Sequence, residues 1–125
     1  MKLLLDTHVL IWYLADDPKL PSAIRDLIVD PHNHVFVSVA TVWEIAIKKA
    51  LGKLSSPDNL PEVLVACAFE VLQINIFHAL EAGALPRHHD DPFDRMLVAQ
   101  AILEGLTLAT SDSRIPAYNI SILTV

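Results

Sequence analysis

The stretch that most constrains the fold runs from residue 90 to residue 105, where three carboxylates precede an almost wholly apolar segment. Asp91 is a good N-cap residue, and Pro92 suits the first position of a helix. Asp94 falls in the first turn, where free backbone N–H groups and the helix dipole favour an anion. Gly105 is a typical left-handed helix stop. The pattern predicts a long helix between Pro92 and Gly105 that is buried on most sides and begins with a carboxylate.

The bulk composition indicates one globular domain over residues 1–125. A hydrophobic content of 53% supports a well-buried core, and a net charge of −6 argues against a broadly basic nucleic-acid binder. A single cysteine, Cys67, excludes an internal disulfide and fits a reducing compartment. No apolar run reaches about 18 residues, the length at which a membrane span becomes plausible. We therefore expect no membrane association and a cytoplasmic location.

Short apolar runs alternate with helical patterns along the chain, which predicts an α/β fold with a central, mostly parallel sheet flanked by helices. The pattern indicates strands at 3–5, 35–37, 69–74, 106–109 and 120–125, and helices at 7–15, 22–29, 59–68 and 77–85 besides the two discussed individually.

The helix after the second strand carries an apolar stripe with helical spacing, formed by Trp43, Ala46, Ile47, Ala50 and Leu51. Ser38 or Thr41 can cap this helix. Glu44 lies about 100° round from the stripe, so it should border a buried seam. The alternative is an exposed ion pair between Glu44 and Lys48, four residues on.

Four acidic residues are placed to meet at one edge of this sheet. Asp6 ends the first strand, and Asp112 follows a late strand. Glu44 comes early in the helix after the second strand, and Asp94 begins the helix that leads into the Asp112 strand. Ligands of open α/β sheets bind beyond the carboxyl ends of the strands, where all four side chains can converge. On its own, Asp94 could equally be explained by the favourable interaction of an acidic side chain with the helix dipole.

Electrostatics limits what such a convergence can be. Two like charges about 4 Å apart repel by roughly 4 kcal/mol at an effective dielectric of about 20. The cluster must therefore share protons or hold cations. An oxygen-only set of ligands favours Mg²⁺ or Mn²⁺, which can activate water for phosphodiester hydrolysis.

Other site types find little support. Glycine occurs only at positions 52, 83 and 105, so no phosphate-cradling loop is present. The segment after Asp6 lacks the second aspartate of an aspartyl-phosphate phosphatase. A zinc site is the remaining alternative, but no usual ligand spacing is matched by His32, His34, His88 and His89.

Four segments in order resemble the PIN-domain family, and within it the VapC-like toxins of bacterial type II toxin–antitoxin systems. The segments are Leu3 to Trp12, Ser38 to Leu54, Leu85 to Ala101 and Leu108 to Asp112. The resemblance covers essentially the whole chain and implies a compact α/β/α domain with metal-dependent ribonuclease activity.

The resemblance also implies roles for individual residues. Asp6, Asp94 and Asp112 match the acidic positions expected to bind Mg²⁺ or Mn²⁺ directly or through water. Glu44 would ligate a second ion or orient the attacking water. Thr110 would position the Asp112 loop through its hydroxyl, although an ordinary turn residue would look the same.

Family resemblance further implies a homodimer blocked by a small antitoxin protein. Trp12 and Tyr13 are candidates for the antitoxin groove or the dimer surface, with core packing as the alternative. RNA phosphates would meet the basic side chains expected beside the site, which are Lys48, Lys49, Lys53, Arg95 and Arg114.

These observations favour a metal-dependent endoribonuclease acting as the toxin of a toxin–antitoxin pair. Two alternatives remain open from the sequence. One is a catalytically silent module that binds metal or RNA, and the other is a different metal-dependent phosphohydrolase or DNA nuclease on a similar sheet.

Overall fold

The computed structural model describes residues 1–125, in which five strands and six α-helices follow one another along the chain. In order they are β1 (Lys2–Leu5), α1 (Thr7–Leu14), α2 (Ser22–Val29), β2 (His34–Ser38), α3 (Val39–Ala50), α4 (Leu60–Ala66), β3 (Glu70–Leu72), α5 (Ile76–Ala84), α6 (Pro92–Glu104), β4 (Thr107–Thr110) and β5 (Ile122–Thr124), with one 3₁₀ turn at Ile115–Tyr118 before β5.

All five strands are parallel, in the order β3-β2-β1-β4-β5. The central strand is β1, whose Leu4 lies opposite Phe36 of β2 and Leu108 of β4. Leu3, Leu4 and Leu5 are fully buried, because helices cover both faces of the sheet. Continuous apolar runs are typical of strands in such sheets. The predicted α/β class is confirmed, and the sheet is wholly parallel.

Alternate residues of β1 pack into two separate hydrophobic cores. Leu3 and Leu5 join a cluster formed with α1, α2, α3 and α4, whereas Leu4 joins a cluster formed mainly with α5 and α6. Side chains of a strand point alternately to opposite faces, so one strand supplies both cores. The result is three layers, with helices on either side of the sheet.

Helix α6 has the predicted bounds. Asp91 caps it by accepting hydrogen bonds from the N–H groups of Phe93 at 2.8 Å and Asp94 at 3.2 Å. Gly105 ends it with a φ of 66°. At 13 residues α6 is the longest helix, and neither it nor any other helix combines the length and apolar character needed to cross a bilayer.

The apolar stripe of α3 is not buried, contrary to our prediction. Trp43 is 61% exposed and Leu51 is 63% exposed. The buried face of α3 instead carries Ala40, Thr41, Glu44 and Ile45. Periodicity identifies an apolar face but not what covers it, and apart from an edge-on contact of Trp43 with Phe93 this stripe is left exposed.

Several boundaries also differ from the prediction. The third strand is only Glu70–Leu72, because Asn75 caps α5 by accepting the N–H of His78 at 3.0 Å. The fourth helix is Leu60–Ala66, shorter than predicted, with Pro61 in its first turn, where the missing N–H of proline is not needed. The 3₁₀ turn at Ile115–Tyr118 was not predicted.

Candidate functional site

The four acids predicted to converge line a single small cavity of about 110 Å³. The cavity lies beyond the carboxyl ends of β1 and β4, beside the first turn of α6 and the middle of α3. No apolar residue contributes to its lining, which consists of Asp6, Thr7, His8, Glu44, Lys48, Asp91, Asp94, Asp112 and Arg114. A larger cavity of about 600 Å³ lies elsewhere, around the start of β2, and contains none of these residues.

Asp6 is held rigidly at the start of α1. It is 4% exposed, and its side chain accepts the N–H of Val9 at 2.8 Å as the helix N-cap. Burial raises the pKa of Asp6, while hydrogen bonding from Thr110 and from the Val9 backbone opposes that rise. The carboxylate therefore has a fixed direction before any ligand binds.

Glu44 is a buried acid with two partners. It is 4% exposed, and Oε1 accepts the hydroxyl of Thr7 while Oε2 accepts the ammonium of Lys48, both at 2.5 Å. The hydrogen bond to Glu44 raises the pKa of Lys48. The Glu44–Lys48 pair considered from the sequence exists, but it is not a solvated surface pair, because its acidic member is buried.

Asp94 is an acid of the cavity whose pKa is strongly raised. Burial, followed by the charge of Asp91, raises the pKa of Asp94 to about 6, and the hydrogen bond from His89 acts in the opposite direction. The cavity is lined by five acids but only two side chains of permanent positive charge, Lys48 and Arg114, so its ionised form holds an excess of negative charge. Such a site gains stability from a cation.

Asp112 is oriented by the two residues that flank it. Its backbone N–H donates to Oγ1 of Thr110 at 3.0 Å. Arg114 donates from Nε to Oδ1 at 3.1 Å and from Nη2 to Oδ2 at 2.8 Å. These bonds to the guanidinium hold the pKa of Asp112 well below its usual range. Thr110 itself is 2% exposed, so its hydroxyl has little freedom to turn away.

His89 belongs to the site, although sequence reasoning missed it. Its Nε2 lies 2.8 Å from Oδ2 of Asp94 and 3.2 Å from Oδ2 of Asp112. In the sequence this residue stands out only as a possible zinc ligand together with three other histidines. Those three have separate partners: His32 contacts Asp30, His34 contacts Glu70, and His88 packs edge-on against Tyr118. The position of His89 directly before the acidic segment at 90–94 is the sequence feature that could have identified it as part of the site.

Arg95 is buried and does not line the cavity, contrary to our prediction that it lies beside the site and meets RNA phosphates. It is 7% exposed, and its guanidinium donates to the carbonyl groups of Ala82, Leu85, Pro86 and His89 at 2.9–3.2 Å. Arg95 thus closes the end of α5 and holds the loop that leads to α6. Its charge is used inside the fold.

The other predicted basic residues divide into two groups. Lys48 and Arg114 line the cavity. Lys49 instead donates to Asp58 and to the carbonyl of Ser56, and Lys53 is an exposed residue that does not line the cavity. Only Lys48 and Arg114 are therefore placed to act at the cavity itself.

The donor set fits a hard divalent cation. One atom from each of His89, Asp94 and Asp112 can be chosen so that all three lie within 4.8 Å of one another. The remaining acids of the cavity add only carboxylate oxygens, the ligands that Mg²⁺ and Mn²⁺ prefer. Asp94 and Asp112 belong to the group with His89, whereas Asp6 and Glu44 line the same cavity outside it.

The sequence model of the PIN domain matches residues 3–120. That is nearly the whole chain, and the protein belongs to the PIN-domain family. No curated protein matches the chain.

Solved structures share the fold at low sequence identity. A chain from VapBC2 of Rickettsia felis, bound to a promoter DNA fragment, is 16% identical with a TM-score of 0.74, and the match covers 100% of this chain and 99% of that one. A chain from DNA-bound VapBC of Salmonella typhimurium is 20% identical with a TM-score of 0.72, covering 99% and 98%. A chain from VapBC-1 of nontypeable Haemophilus influenzae is 21% identical with a TM-score of 0.70, also covering 99% and 98%.

Proposed function

We propose that this protein is a Mg²⁺- or Mn²⁺-dependent endoribonuclease, and that it is the toxin of a type II toxin–antitoxin pair. The observation that carries the proposal is the single polar cavity lined by Asp6, Glu44, Asp94 and Asp112. Membership of the PIN-domain family and the fold shared with chains from VapBC complexes support it. RNA as the substrate follows from the resemblance to the VapC-like toxins.

Different residues of this chain have different roles in phosphodiester hydrolysis. Asp6, Asp94 and Asp112 would hold the divalent ion, which when bound would supply an activated water and neutralise charge on the phosphate. Glu44 ligates a second ion or orients that water. Thr110 keeps Asp112 in place through the 3.0 Å bond from the Asp112 N–H. Each of these carboxylates is positioned by a different element of the fold.

Lys48 and Arg114 are the cations that meet the RNA backbone. Both line the cavity, and each is paired with an acid of the site, Lys48 with Glu44 and Arg114 with Asp112. A phosphate entering the cavity offers each of them a second anionic partner. Phosphate contacts of this kind fix the register of a nucleic acid without reading its sequence.

An antitoxin protein binds the helical layer formed by α1, α3 and α4. A largely apolar cavity of about 290 Å³ lies there, lined in part by Ile11, Leu14, Ile45 and Leu60. Such a groove suits the apolar face of an amphipathic segment. Trp12 and Tyr13 are only partly buried on the adjoining surface of α1 and remain candidates for this contact.

A homodimer accounts for the exposed apolar surface that the chain leaves uncovered. On α3 this surface comprises Trp43, Ile47 and Leu51, and on α5 it comprises Ile76, Phe77 and Leu80. Exposed apolar patches formed by several large side chains mark interaction sites. A reducing cytoplasm is the expected location, in keeping with a single free cysteine.

Cleavage assays with matched variants test the proposed activity. The purified chain with Mg²⁺ or Mn²⁺ should cleave single-stranded RNA, and EDTA should abolish the cleavage. Asp94→Asn should lose it, because Asp94 lines the cavity, whereas Asp90→Asn should keep it, because the Asp90 side chain is 88% exposed outside the cavity.

Parallel substrates separate the alternatives. DNA and small phosphoesters tested beside RNA would reveal a DNA nuclease or another phosphohydrolase. RNA binding without cleavage, with both metals and across many RNAs, would contradict the enzyme and leave a catalytically silent binding module. Equal cleavage by Asp94→Asn and the unaltered chain would refute the site assignment.

A further inference from the structure

His89 is a buried histidine in direct contact with two carboxylates of the proposed metal site. It is 4% exposed and precedes the first turn of α6 by three residues. Nε2 lies 2.8 Å from Asp94 Oδ2 and 3.2 Å from Asp112 Oδ2. The two acids come from α6 and from the loop after β4, so His89 is the side chain that joins them.

The tautomer of His89 follows from its other ring nitrogen. Nδ1 lies 3.2 Å from the backbone N–H of Asp91, and a backbone N–H can only donate. Nδ1 must therefore be the acceptor, which leaves the hydrogen on Nε2. An Nε2–H group donates to carboxylates and cannot at the same time offer a lone pair to a metal ion.

The backbone of His89 is fixed as firmly as its ring. Its carbonyl accepts the guanidinium of Arg95 at 3.2 Å and the hydroxyl of Tyr118 at 3.2 Å. The loop before α6 is thereby tied both to α6 and to the 3₁₀ turn. A side chain with so little freedom suits a role in orienting other groups.

We propose that His89 is a positioning residue for the divalent ion and not one of its ligands. Its Nε2–H donates to Oδ2 of Asp94 and to Oδ2 of Asp112, which keeps these two oxygens close together. Asp94 Oδ1, which has no hydrogen-bond donor of its own, is then free to face the ion. This inference rests on the proposed function and names the residue that organises its metal site.

Calorimetric titration with Mn²⁺ tests this role without relying on activity. Wild type, His89→Ala and His89→Gln are compared as full chains in the absence of RNA. Loss of a side chain that orients metal ligands typically costs about 10–100-fold in metal affinity, and we expect at least about tenfold for His89→Ala. His89→Gln keeps an amide N–H near the position of Nε2 and should recover part of that loss.

His88 provides the matched control. It is the same residue type one position earlier, it is exposed, and its ring contacts Tyr118 and not the acids. His88→Ala should bind Mn²⁺ as wild type does. Circular dichroism of every variant shows whether the fold is intact, and His89→Gln keeps the comparison available if His89→Ala does not fold.

Nitrogen-15 NMR of the imidazole gives a second readout, which distinguishes a positioning residue from a metal ligand. We expect the Nε2–H tautomer in the metal-free protein and the same tautomer after saturation with diamagnetic Mg²⁺. Loss of the Nε2 proton on Mg²⁺ binding would make His89 a ligand and overturn the proposal. Unchanged Mn²⁺ affinity in His89→Ala, or tighter binding because the ring occupies the ion's place, would overturn it as well.

These outcomes are distinct from failure of the proposed function. If wild type binds Mn²⁺ and His89→Ala binds it equally well, only the role of His89 is refuted. If wild type and Asp94→Asn both fail to bind Mn²⁺ or Mg²⁺, the metal-dependent function is refuted, and the positioning role falls with it.

Discussion

The hydroxyl of Thr7 donates a 2.5 Å hydrogen bond to Oε1 of Glu44 and so joins the first turn of α1 to α3 at the edge of the cavity. Glu44 is 4% exposed, and a buried carboxylate is costly unless its lone pairs are satisfied. Thr7 and the ammonium of Lys48 supply the two donors. Removing either donor should therefore lower the free energy of unfolding.

Thr7→Val should destabilise the protein, because valine has the same shape but no donor for Glu44. We expect a loss of roughly 1–3 kcal/mol in the free energy of unfolding, measured by urea denaturation. Thr107→Val is the matched control, since the Thr107 hydroxyl pairs with Ser121 near the surface. Equal effects of the two substitutions would show that the Thr7–Glu44 bond contributes nothing specific.

Arg95→Met should reduce stability without a specific loss of RNA affinity. The substitution leaves the carbonyl groups at the end of α5 and in the following loop without their shared donor. Each buried group left unsatisfied costs about 1–3 kcal/mol, so we expect a loss of roughly 3 kcal/mol or more.

Arg87→Met is the control for Arg95, because the Arg87 side chain is 80% exposed and only reaches Asp90 at 3.7 Å. Thermal unfolding and filter binding at several salt concentrations separate the two roles. A stable Arg95→Met variant with a shallower salt dependence of RNA binding would restore the phosphate-contact role that the structure contradicts.

The metal-free protein should become less stable as the pH rises through about 6. The pKa of Asp94 is higher in the folded state than its ordinary value of 3.8, so the folded state binds this proton more tightly than the unfolded state does. The resulting stabilisation is complete below the ordinary pKa and is lost as Asp94 ionises in the fold. Asp6, whose pKa is also raised, acts in the same direction.

Asp94→Asn removes the Asp94 part of this dependence and should be more stable than wild type in EDTA at about pH 8, by roughly 1–3 kcal/mol from the size of the shift. The difference should shrink as the pH falls below the ordinary pKa of 3.8, where both states of wild type hold the proton. Urea denaturation across this range is the measurement. A wild type more stable than Asp94→Asn in EDTA at high pH would contradict the charge excess in the cavity.

The exposed face of α3 should control association and not folding. Trp43→Glu and Leu51→Glu place charges on the apolar surface and should shift the chain to monomer in light scattering across a concentration series. Unfolding free energies should change by only about 0.5 kcal/mol, as at other surface positions. Val65→Glu, at an apolar residue of α4 that is 77% exposed, should leave the association unchanged.

A wild type that is monomeric at every concentration would rule out the homodimer. Large destabilisation by Trp43→Glu would instead mean that its edge-on contact with Phe93, at 5.4 Å between ring centroids, supports the fold.

Local chemistry in the sequence determined a large part of the architecture. The Asp91 cap and the Gly105 stop delimit α6, because capping and left-handed φ depend on only a few neighbouring residues. Continuous apolar runs identified the buried parallel strands. The position of Asp6 after β1 followed from where its strand ends, and a shared sheet edge then brought the other acids near it.

Tertiary structure alone decided three matters: which face of α3 is buried, what Arg95 binds, and how His89 is used. Each depends on partners far away in the chain or on the direction of a side chain in three dimensions. Trp43 and Glu44 are neighbours in sequence, yet one is exposed and the other is buried among polar partners. Periodicity reports where the apolar side chains of a helix lie, whereas burial depends on which surfaces the rest of the fold brings against them.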